Sequence, residues 1–245
     1  MTAEQPLPTL SPSGLLLLNK PSGVTSFDCV AVVRRQLGVK RVGHCGTLDP
    51  TARGLLLILI GSATKTQDSF LGLEKEYWFR GELGRKTSTG DREGEVCQTK
   101  PFDHVSKEQL EKALENFVGE IQQIPPLYSA LKYKGKPYYR YARKGQTVPL
   151  LPRAVTISSF TLLSFASPFW EARVVCSRGT YIRTLAEDVA ERLGTCGTLT
   201  ELVRERIGPY RQENAHSLES LRQAGRDQLL TYLEPANAAP VIAHA

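Results

Sequence analysis

Gly43-His44-Cys45-Gly46-Thr47-Leu48-Asp49-Pro50 runs almost directly into the apolar stretch Leu55-Leu56-Leu57-Ile58-Leu59-Ile60-Gly61. A continuous apolar run bounded by turn residues predicts a strand buried on both faces. One carboxylate, Asp49, therefore stands between a glycine-rich turn and a proline at the mouth of a core strand. An acid fixed at such a corner suits covalent or acid–base catalysis. The same residues also spell a helix start, with Asp49 as N-cap and Pro50 at the first helical position. Taken alone, the block is compatible with either reading.

Composition narrows the classes outside this block. The 245 residues suffice for one large domain or two modest ones, and 41% apolar with 23% charged residues is ordinary for a globular protein. No apolar run approaches the roughly 20 residues of a membrane span. The start, Met1 to Ser13, lacks a basic-then-apolar signal layout, so a cytoplasmic location is expected. Five cysteines (Cys29, Cys45, Cys97, Cys176 and Cys196) form an odd set without a C-x-x-C pair. Reduced, mostly buried thiols follow, and neither a disulfide framework nor a zinc site is expected.

The net charge of +6 is concentrated in one segment. Between Glu120 and Glu171 no acidic residue occurs, while seven basic ones do: Lys132, Lys134, Lys136, Arg140, Arg143, Lys144 and Arg153. Elsewhere 24 of the 31 basic residues face 25 acidic ones, so the excess belongs to this block. Tyr133, Tyr138, Tyr139 and Tyr141 are interleaved with it. Cations neutralise phosphates and tyrosine faces stack on bases, which makes nucleic acid the leading partner. A solvated basic face with tyrosines in the core is the alternative.

Periodicity predicts mixed helix and strand without regular βαβ alternation. Strands are expected at Leu15–Leu18, Leu55–Ile60 and Tyr77–Leu83, with a pair at Thr156–Phe165 and Trp170–Cys176. Helices are expected at Phe27–Leu37 with Ser26 as cap and Gly38 as stop, after the Ser106/Gln109 capping box, and at Thr180–Leu193. Arg85–Gly94 reads as a polar loop and Pro125-Pro126 as a break. Short helical signals at Leu218–Ala224 and Gln228–Leu233 precede an Ala/Pro-rich end, Pro235–Ala245, where fraying is expected.

Four blocks taken in order closely resemble the TruB family of tRNA pseudouridine synthases. They are Lys20-Pro21-Ser22-Gly23, Gly43–Pro50, Lys75-Glu76-Tyr77 and Arg178-Gly179-Thr180-Tyr181-Ile182-Arg183, with Leu202 and Gly208-Pro209-Tyr210 following. The resemblance spans Leu15 to Tyr210, and the Gly43–Pro50 block is specific to this family and its guide-RNA-dependent relatives. It implies an α+β catalytic domain over residues 14–210, built on a mixed, largely antiparallel sheet flanked by helices. Residues 211–245 are then a short C-terminal extension rather than a complete second domain, without the PUA domain common in the family. Cys45 and Thr51-Ala52-Arg53 depart from the commoner versions of the block but leave Asp49 and its glycines in place.

The resemblance also implies an activity and a set of roles. Uridine is isomerised to pseudouridine by breaking N1–C1′, turning the base and rejoining it through C5, with neither cofactor nor metal. Asp49 becomes the catalytic carboxylate, for which attack at C1′, attack on the base and removal of a ribose proton all remain open. Arg183 becomes the cation that holds it. Tyr77 is matched to the active-site tyrosine that stacks on the flipped uracil and is placed to take the C5 proton. Tyr181 and Leu202 line the base pocket, His44 fills the space the base leaves, and Lys20 supports the catalytic loop. The substrate implied is uridine 55 in the T loop of tRNA, with Lys132, Lys134 and Lys136 on the T-arm backbone and the enzyme a monomer. Three other readings compete: a guide-RNA-dependent synthase, a non-catalytic tRNA-folding protein, and a phosphoryl transferase. The last lacks a second aspartate at Thr51 and any Walker-type loop.

Overall fold

The computed structural model describes residues 11–129, 131–142 and 144–236; Arg143 and most of both chain ends lie outside them. In chain order the strands are β1 (Gly14–Lys20), β2 (Val42–His44), β3 (Arg53–Ile60), β4 (Lys75–Leu83), β5 (Arg85–Thr87), β6 (Val96–Thr99) and β7 (Gly119–Gln123). They continue with β8 (Lys132–Tyr133), β9 (Lys136–Pro137), β10 (Arg153–Ala166), β11 (Phe169–Cys176), β12 (Gly197–Ile207), β13 (Tyr210–Arg211) and β14 (His216–Ser217). The helices are α1 (Ser26–Leu37), α2 (Gln67–Gly72), α3 (Lys107–Glu115), α4 (Tyr138–Ala142), α5 (Ile182–Arg192), α6 (Leu218–Gln223) and α7 (Arg226–Thr231).

One large sheet carries the domain in the order β14-β1-β3-β12-β4-β11-β10-β7, with β2 beside β3 and β13 beside β12. Its pairings are antiparallel except β1–β14 and β3–β12, so the α+β class and the mixed, largely antiparallel sheet are as the sequence indicates. At β1 and β3 both faces are covered. Leu16, Leu18, Leu56 and Ile58 pack with α1, α6 and α7, while Leu15, Leu17, Leu55 and Leu57 pack with Phe70 and Ile207. That double burial removes alternation from the sequence of β3 and so leaves its register unfixed by hydrophobicity. Gly54 supplies the missing constraint. Its φ is +109°, and a Cβ there would lie 2.4 Å from the Arg204 carbonyl oxygen and 2.7 Å from the Arg204 nitrogen. Only glycine lets β3 approach β12 at that point.

β4 alternates instead. Lys75, Tyr77, Phe79 and Leu83 are buried, and the apolar members pack with Trp170, Val174, Leu110 of α3 and Leu185 of α5. The opposite face carries ion pairs between strands, among them Arg80–Glu171 at 2.6 Å and Arg206–Glu76 at 2.8 Å. The segment after Tyr210 is stitched to the N-terminal edge: β14 pairs with β1, and Leu218, Leu221 and Leu229 are buried beside α1.

Several sequence expectations shift. Thr25, not Ser26, caps α1 and forms a capping box with Asp28. The loop at Arg85–Gly94 begins with a short strand, β5, paired to β6. Two sheet strands, β7 and β12, carry no alternation signal. In β12 the register shifts between Leu199 and Glu201 and again between Arg204 and Arg206, which breaks the period of two. Cys29, Cys45, Cys176 and Cys196 are buried, as expected, and Cys97 is exposed.

Candidate active site

The Gly43–Pro50 block leaves the sheet under close control. Gly43 and His44 pair with Leu59 and Ile58 of β3, and Cys45 N–H donates to the Leu57 carbonyl at 2.9 Å. The chain then turns through Gly46, at φ +98°, whose carbonyl accepts from Arg204 Nη2 at 3.1 Å. The Ser26 hydroxyl accepts from Leu48 N–H at 2.9 Å and donates to the Leu48 carbonyl at 3.1 Å. Lys20 Nζ, fully buried, donates to the carbonyls of Pro21, Val24 and Pro50. Gly23 N–H adds a bond to the same Pro50 carbonyl at 2.8 Å. No helix begins at Asp49, so the N-cap reading is excluded and the corner reading stands.

Asp49 opens onto a cavity of about 740 Å³ whose wall includes Tyr77, Tyr181, Leu202 and Arg183. Arg183, on the first turn of α5, is 5% exposed and pairs through Nε with Asp49 Oδ2 at 3.0 Å. Its remaining nitrogens donate to the carbonyls of Thr89 and Tyr128, both at 2.7 Å. A guanidinium held at three points presents one fixed edge to the carboxylate. The second carboxylate oxygen, Oδ1, makes no protein hydrogen bond among the described residues, and the Asp49 side chain is 36% exposed. Lys75, Arg153, Arg178 and Arg204 also reach the cavity, so one carboxylate faces five cations.

Tyr77 sits on β4 opposite Arg204 of β12, and burial pushes its phenol pKa up while the guanidinium opposes the shift. Burial raises the Tyr181 phenol as well. Lys75 Nζ donates to the Leu71 and Leu73 carbonyls, and burial lowers its pKa to about 8. Lys20 is lowered to about 8, again chiefly by burial.

Lys20, His44, Lys132, Lys134 and Lys136 lie off this wall. Lys20 grips the Pro50 carbonyl next to Asp49 and borders a separate groove. His44 ends β2 half-buried, with Nδ1 unpartnered, and burial followed by Arg204 pushes its pKa down. Lys132, Lys134 and Lys136 are exposed on the hairpin β8–β9, turned at Lys134 and Gly135 with φ of +46° and +79°. The hairpin consumes part of its own aromatic content. The Tyr138 hydroxyl donates to the Pro149 carbonyl, and Tyr141 packs edge-on against Tyr133 at 5.9 Å.

Arg204 and Gln123 escaped the sequence reading, and Lys75 entered it only within the block Lys75-Glu76-Tyr77. Lys75 and Arg204 left a trace, each being a cation on the buried parity of a strand, with Tyr77 and Leu202 two positions away. Gln123 left none, since it lies on β7.

Residues 34–239 match two family models in succession. Residues 34–182 match the TruB family pseudouridylate synthase N-terminal domain, and residues 183–239 match the tRNA pseudouridylate synthase B C-terminal domain. The boundary between them falls within one sheet, because β12 of the second portion pairs with β3 and β4 of the first. The chain is 47% identical over 225 residues to tRNA pseudouridine synthase B of Burkholderia pseudomallei (strain 668), covering 92% of this chain and 74% of that one. Against the enzyme of the same name from Ralstonia nicotianae it is 46% identical over 229 residues, covering 92% and 73%. Among solved structures it is similar to a chain of the Cbf5-Nop10-Gar1 complex, with a TM-score of 0.71 and 26% identity, spanning 92% of this chain but only 60% of that one. A chain of the archaeal box H/ACA sRNP Nop10-Cbf5 complex, at 23% identity and a TM-score of 0.69, shares the fold. Among the described residues no helix is long and apolar enough to cross a membrane. With the sheet, the Asp49 corner and these likenesses in agreement, the chain belongs to the TruB family of pseudouridylate synthases.

Proposed function

We propose that the chain is a tRNA pseudouridine(55) synthase acting as a cytoplasmic monomer, with residues 14–210 as its catalytic domain. The observation that carries this reading is the Asp49–Arg183 pair on the wall of a cationic cavity of nucleotide size in a TruB-family chain. Arg183 holds one oxygen of Asp49 and leaves the other for the substrate. An oriented carboxylate with one free oxygen suits attack on, or proton removal from, the ribose of a uridine flipped out of the T loop.

The chemistry conserves every atom. The N1–C1′ bond breaks with its electron pair leaving on the base, the uracil turns, C5 bonds to C1′, and the C5 proton is lost as N1 gains one. Tyr77 and Leu202 form the apolar wall against which the ring turns. The raised Tyr77 pKa keeps its phenol neutral, so it serves first as a stacking ring. It takes the C5 proton only while passing its own onward. Tyr181 lines the base pocket, His44 fills the space vacated by the base, and Lys20 fixes the Asp49 loop.

Lys132, Lys134 and Lys136 grip the T-arm backbone. Reversing all three to Glu is expected to weaken tRNA binding by at least tenfold and to reduce the slope of log K against log salt by about 2–3, at roughly 0.7–0.9 per phosphate contact. Filter binding across a salt series measures both, and an unchanged slope removes the hairpin from the interface.

The activity itself is tested with a tRNA transcript tritiated at C5 of its uridines, in the presence of a chelator and without any guide RNA. Release of tritium to water, with the modified base mapped to position 55, is the expected result. Tight tRNA binding without release would favour a guide-dependent enzyme or a tRNA-folding protein.

A further inference from the structure

Tyr181 is held by its backbone, and beyond the helical bond from Leu185 N–H to its carbonyl, one side chain engages both its N–H and its carbonyl. Gln123, the last residue of β7, is 2% exposed. Its Oε1 accepts from Tyr181 N–H at 2.7 Å, and its Nε2 donates to the Tyr181 carbonyl at 3.1 Å. Tyr181 is also the N-cap residue of α5, and its own side chain makes no capping bond. The amide of Gln123 therefore fixes the entry to the helix that carries Arg183 two residues later.

The chain leaving Gln123 returns to the same place. After Ile124-Pro125-Pro126-Leu127, the carbonyl of Tyr128 accepts from Arg183 Nη2 at 2.7 Å. Two adjacent prolines fix φ over the intervening stretch and keep it stiff. Within six residues one segment thus holds the backbone of Tyr181 and the head of Arg183, and it then runs on to the lysine-bearing hairpin β8–β9. The pairing of Gln123 with Arg153 across β7–β10 ties it to a further cation of the cavity wall.

We infer that Gln123 is a positioning residue for the isomerisation, locking Tyr181 and the start of α5 so that the base pocket and the Asp49–Arg183 pair keep their register with the RNA-gripping hairpin. This rests on the function proposed above. A buried primary amide with both polar atoms used cannot be replaced silently. Leucine has nearly the same shape but leaves the Tyr181 N–H unpaired and its carbonyl with the Leu185 N–H alone, at 3.0 Å, and glutamate keeps the acceptor while losing the donor. The role concerns rate more than affinity, because the phosphate-binding lysines lie elsewhere.

The test uses the full chain with Gln123→Leu and Gln123→Glu, the latter retained in case the former folds poorly. Amide hydrogen exchange over residues 178–183 is expected to speed up at least tenfold in Gln123→Leu and less in Gln123→Glu, which keeps the acceptor for Tyr181 N–H, with β3 and β4 unchanged; unaltered protection in Gln123→Leu overturns the inference. The single-turnover rate at saturating tRNA is expected to fall about 30-fold for Gln123→Leu, with the Kd for tRNA within threefold of wild type. A raised Kd with an unchanged saturating rate, or a lower melting temperature with no change in rate, overturns it. In a Tyr181→Ala background Gln123→Leu is expected to cost less than threefold further, whereas full additivity would mean that it does not act through Tyr181. Wild-type enzyme that released no tritium would sink the proposed function alone, and the exchange measurement would still decide whether Gln123 positions Tyr181.

Discussion

Asp49→Asn is expected to lower the single-turnover rate on tRNA by at least about 10⁴-fold, because the reaction proposed here needs a charged oxygen that no other side chain on the wall can supply. Asn has the same outline, so the loop held by Ser26, Lys20 and Arg204 has no steric reason to move. The cost falls on Arg183, which stays almost fully buried with its carboxylate partner gone. Losing one half of such a pair costs about 1–3 kcal/mol in stability when, as here, the remaining charge keeps two backbone acceptors. Affinity for tRNA should change by less than about threefold or tighten slightly, since the substitution makes a cationic cavity more cationic. Tritium release, filter binding and a melting curve on one preparation separate the three effects. A residual rate within tenfold of wild type would reduce Asp49 to a structural corner residue.

Much of this site is legible in the sequence for a physical reason. Asp49, Tyr77, Tyr181 and Arg183 arrive on one cavity wall because each sits in or beside a short stretch whose turn and strand signals are local: Gly46, the alternation of β4, and Gly179 before α5. Capping boxes are equally local, and the one at Ser106 falls where expected, while that of α1 moves by one residue. The displaced Ser26 shows how local logic fails. Its hydroxyl is taken by Leu48, a partner 22 positions away, and Thr25 takes over the cap. β12 was hidden for a related reason. Two register shifts and the charged residues Glu201, Arg204, Glu205 and Arg206 make it read as polar. Most of those charges are answered by residues distant in sequence, such as Glu76, Arg173 and the Gly46 carbonyl. Asp49 itself read equally well as a helix cap, and only the three-dimensional grip on residues 46–50 removes that option.

The same non-local support makes Arg183 the second position of large effect. Its guanidinium joins three segments distant in sequence: the Asp49 loop, the Thr89 carbonyl after β5, and the Tyr128 carbonyl before the basic hairpin. Lysine keeps the charge but has no planar fork, so it cannot reach all three acceptors with fixed geometry. Arg183→Lys is therefore expected to slow single turnover by about 10²–10³-fold, while binding tRNA within severalfold of wild type. Arg183→Met removes the charge as well, leaves two buried carbonyls unpaired, and should lower the unfolding free energy by about 2–4 kcal/mol in urea titrations. In the proposed reaction Arg183 acts by holding Asp49, so its loss in an Asp49→Asn background should add less than tenfold to the rate defect; two independent contributions would multiply instead. If Arg183→Lys kept its rate within about threefold of wild type, positive charge alone would orient Asp49. The contacts with Thr89 and Tyr128 would then serve only to hold the fold together.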